Sequence, residues 1–335
     1  MNFLYIGQYS EGTTSKMRAD TLIKILNPET HQIIDTNIPF LGANKVFRSL
    51  GFRYKKGPLI PKINDYITNN LKSDYDLIWV DKAIFITPKV TKLLKSITAK
   101  LVHFTPDPAF TYHQSKLFYK SLPSYDYAVT TKSYELKHFY KYLSKSKVVY
   151  TTQGFDKSLH QPLVPFKNKI KGVLFIGHYE KERATVIQQL INNNIAVGLA
   201  GIKWNSFVQK NKNNKHLCYL GNGIYGAEYI KTISRYQFSW GAISKWIPEL
   251  HTTRTFEIPA CKTILITERN TETTSFFKED EALFYSNPNE MIAKIKAFQE
   301  DFKSMEQLAE KGYQRVLKDG YDYENILREV LREIM

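Results

Sequence analysis

The sequence predicts an α/β protein made of two consecutive parallel-sheet domains. Three observations predict it. Strand-sized apolar runs alternate with helix-length stretches along most of the 335 residues, the pattern of a sheet covered by helices on both faces. Each half opens with the same device: an apolar strand closing on glycine (Gly7, Gly177), then a polar loop, then a helix. The chain is also long for one hydrophobic core and comfortable for two.

In the first half, Asn2–Gly7, Asp76–Val80, Lys100–Thr105, Tyr127–Thr131 and Lys147–Thr151 read as strands. Thr14–Leu26, Pro88–Ser96 and Ser133–Leu143 read as helices between them. In the second half the strands are Gly172–Gly177, Ile195–Ala200, Leu217–Leu220, Phe238–Gly241, Thr263–Thr267 and Ala282–Tyr285. Helices are expected over Glu180–Asn192, Ala227–Ser234, Thr252–Ala260 and Asn289–Phe298, and the rest of the chain is helical by pattern. Pro162 and Pro165, with a Lys/Asn-rich tail, interrupt periodicity between Gly154 and Lys169. The expected division is therefore 1–158, 159–319, and a helix within 320–335 that returns to the first domain. Two Rossmann-like domains in series suggest a cleft between facing sheet ends, where open α/β sheets bind ligands.

Bulk properties narrow the class. A chain 43% hydrophobic and 24% charged folds rather than staying disordered. No run approaches the roughly 20 apolar residues of a membrane span, and the N-terminus lacks a charged leader. Cys218 and Cys261 are too few for a disulfide framework or a cysteine zinc site, so a cytoplasmic address is expected. Residues 1–160 hold 23 Lys and Arg against 12 Asp and Glu, the remainder 24 against 20. That basic excess attracts an acidic substrate or an anionic membrane surface, unless it is only a lysine-rich solvated face. No nucleic-acid motif is present, and no nucleic-acid partner is expected.

The most informative segment is His251-Thr-Thr-Arg-Thr-Phe-Glu-Ile-Pro-Ala260. Thr252 or Thr253 is placed to cap a helix whose amides, with Arg254, favour a diphosphate. Glu257 follows on the same helix face, where a carboxylate accepts hydrogen bonds from ribose hydroxyls; a plain surface Arg254–Glu257 pair is the alternative. In the first half, Gly12, Thr13, Thr14 and Ser15 lie between the first strand and its helix, in reach of a donor phosphate or the acceptor unless they only connect the two. This loop has neither Gly-x-Gly-x-x-Gly nor a Walker pattern. Asp107, held between Pro106 and Pro108 after a strand, is the candidate base for an acceptor hydroxyl in an inverting enzyme; a retaining enzyme needs no such base, and a turn-capping carboxylate is the alternative. His113 is a loop candidate, and Lys132, at the end of a strand, is in reach of an anionic group unless it is a solvated lysine. His103 is read as a packed core histidine. Tyr112, Phe118, Tyr119 and Tyr125 with Lys116 and Lys120 form a candidate acceptor platform or membrane-surface patch. Asp74-Tyr-Asp76 has an Asp-x-Asp form but precedes its strand, so no metal is expected.

The 251–260 block, with Ile264-Leu-Ile-Thr-Glu-Arg269, resembles the nucleotide-sugar signature of bacterial group 1 glycosyltransferases, in the spore-maturation (CgeB-like) branch. Val173–Arg183, Tyr75–Lys82, Lys100–Asp107, Tyr125–Lys132, Gly154-Phe-Asp and His160-Gln-Pro162 resemble further blocks in the same order. The resemblance implies a GT-B fold, with the donor in the C-terminal domain and the acceptor in the N-terminal one. It implies that Glu257 holds the ribose and that Arg254, with Thr252, Thr253 and Thr255 at the helix start, holds the phosphates. Gly177 and His178 would line the donor pocket. One departure stands out: Cys261-Lys262 occupies a place where small residues, often glycines, are usual.

The expected function is sugar transfer from a nucleoside diphosphate sugar to a glycan, lipid-linked or otherwise anionic acceptor in cell-envelope or surface polysaccharide synthesis. The nucleotide-sugar is a co-substrate and no further cofactor is expected; contact with the inner face of an anionic membrane fits the basic half. A sugar-nucleotide epimerase of the same fold, or a basic polysaccharide-binding or nucleic-acid-binding protein without catalysis, are the alternatives.

Overall fold

Six parallel strands form the first sheet: β1 (Asn2–Gly7), β2 (Thr30–Asp35), β3 (Tyr75–Asp81), β4 (Thr98–Thr105), β5 (Tyr127–Thr130) and β6 (Val148–Tyr150). Their spatial order is β2-β1-β3-β4-β5-β6. The computed structural model describes residues 1–72 and 74–335. It separates into two units, Met1–Thr152 with Tyr323–Met335, and Gln153–Asp322.

Alternation along the strands divides the first unit's core into two layers. Leu4, Ile6, Ile78 and Val80 pack on one face with Leu59, Ile63 and Leu94. Phe3, Tyr5, Leu77 and Trp79 pack on the other with Leu22, Leu327, Val330 and Ile334. The last helix, Tyr323–Ile334, thus belongs to the first unit because its apolar stripe completes that second layer. A sheet buried on both faces needs the near-continuous apolar strands seen here.

The second sheet contains β7 (Ile170–Ile176), β8 (Val197–Ala200), β9 (Leu217–Gly221), β10 (Tyr236–Trp240), β11 (Ile264–Glu268) and β12 (Leu283–Tyr285). Its order, β12-β11-β10-β7-β8-β9, is also parallel throughout. Counted within the unit this is the doubly wound 3-2-1-4-5-6 arrangement, with its topological switch point between β7 and β10. In the first unit the switch lies between β1 and β3. Chain connections leave in opposite directions at such points, which opens a crevice beyond the strands' carboxyl ends.

Among the described residues, eleven of the twelve strands coincide with those read from the sequence. The missing one, β2, is an edge strand pairing only with β1. Its outer residues Thr30, His31 and Gln32 are polar and mostly solvent-facing, so it carries little apolar signal. The expected helix Ser133–Leu143 is instead a 3-10 turn, Ser133–Glu135, and one helical turn, Leu136–Phe139. Glu135 explains the break. Its buried carboxylate accepts the amides of Ala109, Phe110 and Thr111 at 2.7–2.9 Å. Among the described residues no helix is long and apolar enough to cross a membrane.

Candidate active site

The second unit's switch point is built by glycine. Gly201 follows β8 with φ +144°, and a Cβ there would stand 1.9 Å from the Gly177 carbonyl oxygen. That approach lets the Gly177 carbonyl accept the Trp204 indole N–H at 2.8 Å while its amide donates to Ala200. The end of β7 is fixed, and His178 with it. A fully buried Glu180 follows, pairing with Arg183 at 2.9 Å and with the His178 ring at 3.0 Å. Burial, then the charge of Arg183, lowers the His178 pKa, against the pull of Glu180.

Across the switch point, Arg254 donates to the carbonyls of Ile176 at 3.5 Å and Ala242 at 3.2 Å. These carbonyls belong to the ends of β7 and of the segment after β10, so the guanidinium bridges the crevice mouth. Among the described residues no carboxylate pairs with it, and its buried Nε has no partner. Three lashings hold the loop that delivers it. His251 Nδ1 meets Glu272 at 2.5 Å, its Nε2 accepts the Gln153 amide at 3.1 Å, and Asn270 donates to Leu250 O at 2.9 Å.

The expected cap differs in detail. The helix is short, Arg254–Ala260, and Thr253 stands at its N-cap in αR conformation with no side-chain cap bond. Buried Thr255 turns inward, its hydroxyl accepting the Thr252 amide at 3.1 Å, so it locks the turn and is not offered to a ligand. Thr252 Oγ1 is buried without a partner. So short a helix has a weak dipole, and the positive charge at this corner is chiefly that of Arg254 and Arg183.

Glu257 lies one turn on, 5% exposed. Its Oε2 accepts the Tyr229 hydroxyl at 2.7 Å, and the His160 ring lies 3.7 Å from Oε1. The alternative of a solvated surface pair with Arg254 is excluded by this burial. Burial first, then the Glu257 charge, drives the Tyr229 pKa far up, so Tyr229 donates and Glu257 accepts. Lys262 explains the departure noted above: it adopts φ +52°, the left-handed conformation that glycine takes without strain. Its ammonium pairs with Glu310.

The first unit gathers a separate polar cluster at the ends of β3, β4 and β5. Asp107 Oδ2 pairs with Lys82 at 2.7 Å and lies 3.9 Å from the His113 ring. Burial opposes ionisation of Asp107, but Lys82 outweighs it and holds the carboxyl below its usual range, with His113 and Lys132 adding to the effect. Burial also lowers the His113 pKa. Lys132 is 4% exposed rather than solvated. Beside this cluster, at the β1–β3 switch point, Arg18 and Asp81 form a buried bidentate pair at 2.8 and 3.1 Å.

Other first-unit candidates are placed differently. Gly12 takes φ +74°, and Thr13 caps the helix Thr14–Leu26 by accepting the Lys16 amide. Ser15 is buried, bonded to the Tyr5 hydroxyl at 2.8 Å, and does not face a ligand. The aromatic platform is divided: Phe118 and Tyr125 are core residues packed on His103, while Tyr112, Lys116 and Lys120 are exposed. Burial brings His103 down to about 3, a neutral core histidine. Asp76 sits at the amino end of β3, accepting the Asn2 amide at 2.6 Å. No role for Lys82, Glu180, Arg183 or Tyr229 is visible in the sequence; what marks them is pairing, with burial of Glu180 and Arg183, which only the fold supplies.

Residues 183–332 match the model of a glycosyl transferase-like family. No curated protein matches the chain in sequence. Among solved structures, HepE of Anabaena in complex with UDP is similar, with TM-score 0.64, 12% identity and 99% of each chain covered. Sucrose-phosphate synthase of Thermosynechococcus elongatus gives TM-score 0.71 at 14% identity, covering 99% of this chain and 98% of that one. The UDP-forming α,α-trehalose-phosphate synthase of Burkholderia xenovorans, bound to glucose-6-phosphate, gives 0.64 at 9%, covering 99% and 100%. The fold is GT-B.

Proposed function

We propose that this protein is a glycosyltransferase whose second unit binds a nucleoside diphosphate sugar at the β7–β10 switch point. One observation carries the reading. The Arg254 guanidinium bridges the crevice mouth on two main-chain carbonyls, with no carboxylate partner among the described residues, and a buried carboxylate follows one turn later. A cation held by carbonyls keeps its charge for a ligand. Arg254 stabilises the diphosphate as the glycosidic bond to it breaks, Thr252 Oγ1 adds a donor, and Glu257 accepts the ribose hydroxyls. Gly177 and His178 border the sugar and phosphates. The match over residues 183–332 supports the activity, and the UDP in the HepE structure supports a uridine nucleotide.

In the first unit, Asp107 receives the acceptor hydroxyl, with its Oδ1 as the proton acceptor, while Lys82 and Lys132 attract an anionic acceptor and the neutral His113 ring offers it a hydrogen bond. Exposed Gly12, with Thr13 and Thr14, borders the β1 switch point. The acceptor is a glycan, lipid-linked or otherwise anionic, of surface polysaccharide synthesis, and the resemblance of the 251–260 block supports the spore-maturation branch. No metal is required when a guanidinium supplies the charge. A thermal-shift panel of nucleoside diphosphates tests the donor reading, because a ligand stabilises only the fold that binds it. A shift with UDP and none with adenosine nucleotides is expected; no shift with any member overturns it.

A further inference from the structure

Seven of the twenty exposed large apolar side chains among the described residues lie between Ile38 and Tyr54. Most belong to the helix Lys45–Tyr54, in which Gly51 is the buried residue and Phe52 packs on Phe85 and His113. A Cβ on Gly51 would meet Leu59 at 2.4 Å, so glycine lets this helix sit directly on the helix Leu59–Asn70. At about 100° per residue, Val46, Leu50, Tyr54 and Phe47 fall within an outward arc of about 100°. They are 61%, 44%, 59% and 43% exposed. Arg53 borders that arc, and Lys56 follows the helix. From Thr36 to Asn64 the sequence contains six Lys or Arg and no Asp or Glu.

We infer that this helix is a membrane-interfacial element that docks the first unit on an anionic bilayer surface. Contiguous exposed apolar side chains rimmed by cations suit the headgroup–acyl boundary, where the apolar face is buried and the cations meet lipid phosphates. A segment with no acidic residue has nothing to oppose that approach. The helix leads to the polar cluster of its own unit: the Phe52 ring stands edge-on to His113 at 5.8 Å, and His113 lies 3.9 Å from Asp107. An acceptor carried on a lipid would therefore reach Asp107 from the surface that holds its tail. Docking deepens the acceptor reading given above and rests on it only for that last step.

Co-sedimentation of the full chain with vesicles of phosphatidylcholine, with and without phosphatidylglycerol, tests this. The wild type is expected to pellet with the anionic vesicles alone and to be released by salt. Phe47→Ser with Leu50→Ser is expected to weaken the partition at least about tenfold, and Arg53→Glu with Lys56→Glu to abolish the preference for anionic lipid. Thermal melts check that each variant is folded, independently of any ligand. Three results would overturn docking: a wild type that stays in the supernatant with both vesicles, folded variants that pellet like wild type, or a dimer in sedimentation velocity that Phe47→Ser with Leu50→Ser dissolves. UDP titration of the same samples reads the donor site separately, so docking can fail while the transferase reading stands.

Discussion

Arg254 lies close enough to Arg183 to weaken its hold on a proton: burial first, then the Arg254 charge, brings Arg183 down to about 10. Glu180 pairs with Arg183 at 2.9 Å and offsets part of its charge, while Arg254 leans on carbonyls. Two like charges at one corner repel, and an anion placed between them removes the repulsion.

Arg254→Ala is expected to lower kcat/KM about 10²–10³-fold, the scale of losing a group that stabilises developing charge. Arg254→Lys should recover little, because an ammonium cannot bridge two carbonyls and still meet a diphosphate in a planar fork. Steady-state kinetics with a nucleotide-sugar donor decides; full activity in the lysine variant rejects the bridging role.

Glu257→Ala is expected to weaken nucleoside diphosphate binding about 10–100-fold by calorimetry, since a charged acceptor for hydroxyls is worth about 1.5–3 kcal/mol. Tyr229→Phe removes only a supporting donor. It should cost about 1 kcal/mol of stability and leave nucleotide affinity nearly unchanged. Equal losses in both variants would make Glu257 a structural residue.

His178 gives a pH signature. Its pKa is depressed below the ordinary value near 6.5, so it is neutral at pH 7 and gains charge only as pH falls past its lowered pKa. A nucleotide-sugar diester keeps its charge over this range. Its affinity should rise as pH drops from 7 toward 5, and His178→Asn should flatten the curve. A wild-type affinity that falls over that interval contradicts the assignment.

Asp107→Asn separates a base from an ion-pair partner. A base predicts turnover lower by about 10²–10⁴ with donor affinity unchanged; a loss under about tenfold leaves Asp107 only the task of holding Lys82. The folded carboxyl titrates below the unfolded value near 3.9. Its contribution to stability is therefore present above pH 4 and lost as pH falls through the lower folded pKa.

Gly201→Ala should lower stability by about 2–3 kcal/mol, or roughly 4–12 °C in Tm, because the new Cβ collides with the Gly177 carbonyl. Donor affinity should fall with it, since that carbonyl fixes the end of β7. A thermal melt unchanged within a degree would show that the loop relaxes freely.

The fold was legible because buried parallel strands need continuous apolar runs, and eleven such runs stand out. Edge strand β2 was hidden because half of it faces water. The helix Lys45–Tyr54 was hidden for the opposite reason: its apolar stripe points outward, so the pattern that normally marks a core marks a surface. At the site, Arg254 and Glu257 were legible as a charged pair one turn apart in a block resembling a known signature. Glu180, Arg183 and Tyr229 were not, because their significance lies in whom they touch across strands. Ser15 and Phe118 misled for the same reason, since polarity or aromatic clustering in sequence does not reveal which way a side chain turns.

A crystal structure with a bound uridine diphosphate sugar decides whether Arg254 and Glu257 hold the donor. Diphosphate oxygens are expected within hydrogen-bond distance of the Arg254 guanidinium and ribose hydroxyls on Glu257, at the ends of β7 and β10. A nucleotide lodged elsewhere in the chain, with Arg254 still resting only on Ile176 and Ala242, would contradict that arrangement.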